Sequence, residues 1–325
     1  MTPAEFGTTV NLGIFIALLG GRQQRPTGGQ VLMTPTAHLT EPESAVSVPN
    51  RNVATGDEGD MPPQSMAAEA WRDWWAGTRN VTLWLTLAWY DVALKYRRSM
   101  LGPLWITLSM GAMLLGMGPL YSVLFNVPLQ RFYPHLALGI IFWNFFTASI
   151  TDGCNVFIAS APYIKQSEFP RSTFVWRVLA RQVINLAHHI ILFIPIAFWA
   201  GITPSWQMLA FVPGFIVVLI NLHALSITLG IMCARFRDVG PIVTSVLQLL
   251  MFLTPVFWFP DRLPGRAKFI LYNPLAQMLD VVRLPLLGGW PTTGTCWFLL
   301  DLTCLNVAIA ALLYTFRRRQ IVYWL

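Results

Sequence analysis

The run Gln182–Ala234, QVINLAHHIILFIPIAFWAGITPSWQMLAFVPGFIVVLINLHALSITLGIMCA, contains no Asp, Glu, Lys or Arg. A helix needs about 20 mostly apolar residues to cross the hydrocarbon layer of a bilayer, and each half of this run supplies them. Gly201-Ile202-Thr203-Pro204-Ser205 provides the turn between the halves. A chain built around such a hairpin is predicted to have lipid as its main solvent. Composition agrees, since 55% of the 325 residues are hydrophobic and only 11% charged, with a mean hydropathy of +0.54. Soluble domains carry about a quarter charged residues.

Outward from the hairpin, apolar stretches near 101–125, 136–158, 176–199, 207–232, 240–259 and 296–316 predict an all-α integral membrane protein with about six transmembrane helices. Alternating these spans puts Lys95, Arg97, Arg98, Lys165, Arg171, Arg177, Arg235, Arg237 and Arg317 to Arg319 on one side. Arg131, Arg262, Arg266, Lys268 and Arg283 fall on the other. The richer side is expected to be cytoplasmic, with both termini there. The net charge of +7 is thus scattered between spans rather than gathered in a stripe, and no nucleic-acid partner is expected.

Residues 1–68 read as a disordered tail, because segments such as TPTAHLTEPESAVSVPN and GDEGDMPPQS hold too little apolar surface to offset chain entropy. The apolar patch Val10 to Leu19 is too short to span and lacks the basic flank of a signal peptide. Residues 69–99 read as a cytoplasmic interfacial region, and 100–325 as the six-span domain. Within 69–99, Val81 to Arg98 has helical periodicity. Leu85, Ala88, Trp89, Val92 and Tyr96 share one face, and Asp91, Lys95 and Arg98 another, which suits a helix in the headgroup layer.

The connection from Phe259 to Cys296 is broken by Pro260, Pro264, Pro274, Pro285 and Pro291, yet holds the apolar pieces Phe269 to Leu271 and Leu284 to Leu287. Short re-entrant helices in the outer leaflet fit this pattern, and so does a surface loop with an interfacial helix.

Enzyme signatures are missing. Lys95, Lys165 and Lys268 follow Leu94, Ile164 and Ala267, so the chain has no Gly-Lys phosphate loop, and any ATP hydrolysis must come from another subunit. Cys154, Cys233, Cys296 and Cys304 form no ligand spacing and read as small buried hydrophobes. The adjacent His188 and His189 point about 100° apart on a helix and cannot make an i, i+4 metal pair. Polar packing between helices and a proton relay both fit them. Asp152 and Asp301 interrupt spans, where a charge must pair, meet water near a span end, or carry protons.

Four segments in order carry a resemblance. They are RRSMLGPLWITL (Arg97 to Leu108), ASAPYIKQSEFPRSTFVWR (Ala159 to Arg177), ARFRDVGPIVTSVLQLLMFLTPVFW (Ala234 to Trp258) and YNPLAQMLDVVRLPLLG (Tyr272 to Gly288). Together they resemble the permeases of type-2 ABC exporters for O-antigen, capsule and teichoic-acid polymers, over residues 75 to 325. The resemblance implies a homodimer in the bacterial inner membrane, served by a separate ATPase subunit that binds ATP and Mg, with no cofactor in this chain. It implies a lipid-linked polysaccharide as substrate. A coupling element would lie at Tyr163, Lys165, Glu168, Phe169, Pro170 and Arg171, with Arg235, Arg237 and Asp238 on the second loop. A gate helix would carry Trp84, Trp89, Asp91, Lys95, Arg97 and Arg98. An aromatic path would use Tyr121, Phe142, Trp143, Phe146, Phe257 and Trp258, although headgroup belts account for such rings equally well. Competing functions are export of a small hydrophobic compound, proton-coupled transport through Asp152 and Asp301, and membrane enzymology at His188 or His189.

Overall fold

A computed structural model of the chain describes residues 63–97, 104–166, 169–260 and 268–325, without the side chains of 63–65, 268 and 269. All of these lie in one compact unit, Asp57–Leu325. The expected tail falls outside the described residues as far as 62. From Pro63 the chain is helical, so ordered structure begins inside the stretch read as tail.

The helices are α1 Pro63–Arg79, α2 Val81–Tyr96, α3 Leu104–Leu124, α4 Leu129–Cys154, α5 Val156–Ala159, α6 Ala161–Gln166, α7 Ser172–Trp199, α8 Phe211–Arg235, α9 Val239–Leu253, α10 Lys268–Leu271, α11 Pro274–Leu286, α12 Thr293–Arg317 and α13 Ile321–Trp324. A 3₁₀ turn, Trp206–Ala210, leads into α8. No strand occurs among the described residues. Five helices are long and apolar enough to cross a membrane: α3, α4, α7, α12, and α8 together with its 3₁₀ lead-in. At the α7–α8 turn Gly201 adopts φ 72°, left-handed backbone that glycine takes without a Cβ clash, and the amide of Ile202 closes on the Ala197 carbonyl.

The sixth expected span, 240–259, is helical only through Leu253. A helix of 15 residues reaches about 22 Å, short of the roughly 30 Å core. Thr254 precedes Pro255, a position that disfavours helical backbone, and it turns extended at ψ 136°. The chain from Thr254 to Val256 is buried in protein, the setting in which irregular backbone is tolerated at membrane depth.

The last outer connection supplies the cover. Asn273 caps α11 by accepting from the amides of Leu275 and Ala276, while its Nδ2 donates to Thr254 Oγ1 at 3.0 Å. α11 is buried on most of its surface, from Leu275 to Pro285, and packs against α4, α8 and α12. It is an inserted helix and not a surface loop. Close approach depends on glycine at two places. A Cβ on Gly139 would meet the Val256 carbonyl oxygen at 2.7 Å, and one on Gly214 the Val281 carbonyl oxygen at 2.8 Å.

Candidate functional site

At one end of the bundle α4 gives way to the short helices α5 and α6, which lead into α7. Ile164 turns inward to a cluster with Phe157, Phe174 and Ile321. Its neighbour Tyr163 is 45% exposed and Phe169 48%. The Tyr163 ring lies 6.2 Å from that of Phe174 and 5.4 Å from the Arg177 guanidinium, so it is braced while one face stays open. Lys165 is exposed beside it and Pro170 is half-buried. Glu168 lies outside the described residues. Arg171 does not stand with these anchors. It is half-buried beside Asp73, Tyr314, Arg318 and Arg319, and burial pushes its guanidinium below the ordinary value while Asp73 opposes that shift.

The second loop begins where α8 ends. Arg237 and Asp238 are exposed, whereas Arg235 lies over two rings, 5.1 Å from Trp324 and 5.4 Å from Phe236. α13 packs on both α6 and α8, so the C-terminal segment joins the two loops. Nothing in the local sequence of either loop announces that link.

The helix expected as gate, α2, lies along α7. Ala88 and Val92 are buried, but Leu85 and Trp89 are exposed and Asp91 sits on the packed side. The reason is charge pairing. Arg177 meets Asp91 through two nitrogens at 2.8 and 2.5 Å, and Arg181 bridges Asp91 at 3.0 Å to Asp152 at 2.8 Å. Gln182 Nε2 also donates to Asp152. Asp152 is thus tied into an ion network, the pairing account of that residue. Trp84 stacks on Trp176 at 5.8 Å. Lys95 and Arg97 are exposed, and Arg98 lies outside the described residues. Asp301 is exposed on α12, and His188 binds the Ile184 carbonyl of its own helix at 2.8 Å.

Of the six aromatics expected along a path, Phe142 and Phe146 are 0% exposed and Trp143 is buried with them, all in the main core. They fill the space between α4 and its neighbours and face no surface of the described chain. Tyr121 and Phe257 stack at 6.0 Å, both partly buried, and the Trp258 indole donates to the Phe252 carbonyl at 3.2 Å.

Three polar assemblies escaped the sequence reading. α1 is the first. Glu69 accepts from Arg318 at 2.5 Å and Arg319 at 2.6 Å, Tyr314 donates to Asp73, and Trp74 Nε1 donates to His223 Nε2 at 3.1 Å. The Arg319 hydrogen bond holds the Glu69 carboxyl below the ordinary carboxylate value. In the second, Asn221 donates to Thr303 at 2.6 Å and accepts from Asn306 at 2.8 Å, clasping α8 to α12. The third centres on Arg283, 2% exposed, whose Nη1 donates to the Pro255 carbonyl at 2.7 Å and to His135 Nε2 at 3.1 Å, and whose Nη2 meets Asp280 at 2.7 Å. One guanidinium thereby pins the broken segment, α4 and α11 together.

Residues 82–287 match the family described as ABC-2 type transporter. The chain belongs to that family. An O-antigen export system permease protein RfbA of Klebsiella pneumoniae is 26% identical over 194 residues, covering 58% of this chain and 74% of the relative. One of the same name from Myxococcus xanthus is 25% identical over 207 residues, covering 61% and 77%. As a member of the ABC-2 family the chain is a multi-pass membrane protein of a transporter class. The matched stretch takes in α2, both loops and the Arg283 assembly, while α1 and α12 lie outside it.

Proposed function

We propose that this chain is the membrane-spanning permease of an ATP-driven exporter that moves lipid-linked polysaccharide, of O-antigen or capsular type, across a bacterial inner membrane. It acts as a homodimer with a separate ATPase that binds ATP and Mg, both termini on the ATPase side. The reading is supported most by one observation on an ABC-2 family chain: the first loop exposes two aromatic side chains, Tyr163 on α6 and Phe169 between α6 and α7, with Lys165 beside Tyr163. Open aromatics ringed by charge are what a specific docking site uses. Relatives named for O-antigen export favour the polysaccharide over a small hydrophobic cargo.

The chemistry of transmission follows from the packing. A push on α6 is carried by Ile164 into the cluster that it shares with α5, α7 and α8. From α7, Arg177 and Arg181 pass it to Asp91 on α2 and Asp152 on α4. The proposed gate helix is therefore connected to the docking loop by ion pairs and not by lipid.

The test is replacement. This gene and its ATPase gene are introduced into a bacterium from which the corresponding O-antigen export pair has been deleted. Surface polymer should return and the intracellular lipid-linked pool should fall. Continued accumulation inside, with both proteins present in the membrane, contradicts the reading.

A further inference from the structure

A cavity of about 510 Å³ lies where α4 begins, α7 turns into α8, the chain leaves α9 and α11 ends. In the proposed orientation this is the outer end of the molecule. Its volume falls in the range of small-molecule sites, about 300–1,000 Å³. Ile202, Leu284 and Leu287 supply an apolar wall, and three accessible polar side chains line the rest with groups to spare.

Arg131 is the first. It is exposed, stands in the first turn of α4 and has no carboxylate partner among the described residues; its guanidinium lies 5.6 Å from the Phe259 ring. The positive end of the helix adds to that charge and does not relieve it. Asp280 is the second. Its Oδ1 accepts from Arg283 Nη2, while Oδ2 accepts from no described residue and the side chain stays 20% exposed. The third is Gln130, half-buried, whose amide makes no hydrogen bond to another described residue. With Asp280 answering Arg283, the charge left over is that of Arg131.

These groups define an occupant. Arg131 calls for an anion, and a guanidinium takes a carboxylate through two parallel N–H bonds. A bare anion is disfavoured by the free oxygen of Asp280, which repels negative charge and accepts only from an O–H or N–H. The ligand must therefore carry hydroxyl groups beside its acid, and a hydrocarbon face for Ile202, Leu284 and Leu287. A hexuronic acid has all three.

We propose that this cavity holds one hexuronate residue of the polysaccharide as it emerges, which rests on the exporter reading above. Its carboxylate meets Arg131, and its hydroxyls donate to Asp280 Oδ2 and bond with Gln130. The exported polymer is then an acidic one.

The full chain is purified in mild detergent and titrated with trigalacturonate and with neutral maltotriose, a measurement that needs neither ATPase nor transport. Trigalacturonate should bind about tenfold tighter, the value of one charge-assisted hydrogen bond. Arg131→Gln should remove that preference, and Leu287→Trp, which fills the cavity, should abolish binding of both. Equal affinity for the two trisaccharides, absence of binding, or an undiminished preference in Arg131→Gln overturns the proposal. So does displacement of trigalacturonate by dihexanoyl-phosphatidylglycerol, which would assign the cavity to a lipid headgroup. Export of surface polymer in the replacement strain without trigalacturonate binding would remove this site alone and leave the exporter reading standing.

Discussion

Arg283 is where one side chain carries the most structure. A buried guanidinium is costly unless its charge is met, and here Asp280, His135 and the Pro255 carbonyl engage both Nη groups while Nε has no hydrogen-bond partner among the described residues. Arg283→Met leaves Asp280 without its partner and frees the Pro255 carbonyl. The expected loss of stability is about 3–5 kcal/mol, read as a lowered thermal midpoint in detergent. Asp280→Asn should cost less, because the amide oxygen still accepts. The aromatics of α4 behave differently. Phe146→Ala removes a ring with no exposed surface and should destabilise by about 3–5 kcal/mol while leaving cargo choice unchanged. A change in the exported polymer with no change in stability would return Phe146 to the path. Only position along the chain was legible for these rings. Whether a ring in an apolar helix faces core, lipid or path depends on how helices are rotated against each other, which the apolar run Leu136 to Trp143 around these rings does not encode.

Among elements, α1 was the least legible. Its residues sit in a polar, proline-bearing context, and its packed face is made of small and aromatic residues, Ala70, Trp74 and Gly77, whose partners Ser172, His223 and Tyr314 are far away in sequence. α2 was legible as a helix, but the pairing of Asp91 was not, because its arginines lie far away in sequence. The short α9 was read as a full span because hydropathy continues through Thr254-Pro255 where the helix does not. A chain starting at Pro63 should reach the membrane and act normally, whereas one starting at Asn80 loses the Glu69, Asp73 and Trp74 contacts and should fall in membrane abundance. Equal abundance and activity of the two would show that α1 is dispensable. Acid acts on the same contact. A carboxyl whose pKa is lowered on folding contributes stability above its unfolded value, about 4.3, and loses it as pH falls through the folded value. Release of α1, read from the emission of an environment-sensitive fluorophore attached at Ala70→Cys, should thus rise as pH falls through the folded value of Glu69, and Glu69→Gln should remove the step. Emission flat in pH would exclude Glu69 as the tether.

At the scale of the whole molecule, membrane residence was legible from one uncharged hairpin, since no soluble packing accommodates so much apolar surface. The loops α6 and Arg235 to Asp238 were legible as a pair, but their junction through α13 was not, because it is a contact between residues far apart in sequence. In the proposed orientation Arg131 faces outward and Arg237 inward. In a background lacking Cys154, Cys233, Cys296 and Cys304, an impermeant reagent applied to intact cells should reach a cysteine at 131 and not one at 237; the reverse would invert the topology.

The most direct test of an ATP-driven permease worked through α6 is made in proteoliposomes holding the chain and its ATPase, with lipid-linked polysaccharide supplied. ATP should drive the polymer across the membrane, and the polymer should stimulate hydrolysis. Tyr163→Ala with Phe169→Ala should abolish both while the permease stays folded and dimeric, since each lost anchor costs about 2 kcal/mol or more of docking. Full ATPase binding and transport by the double variant would contradict the account.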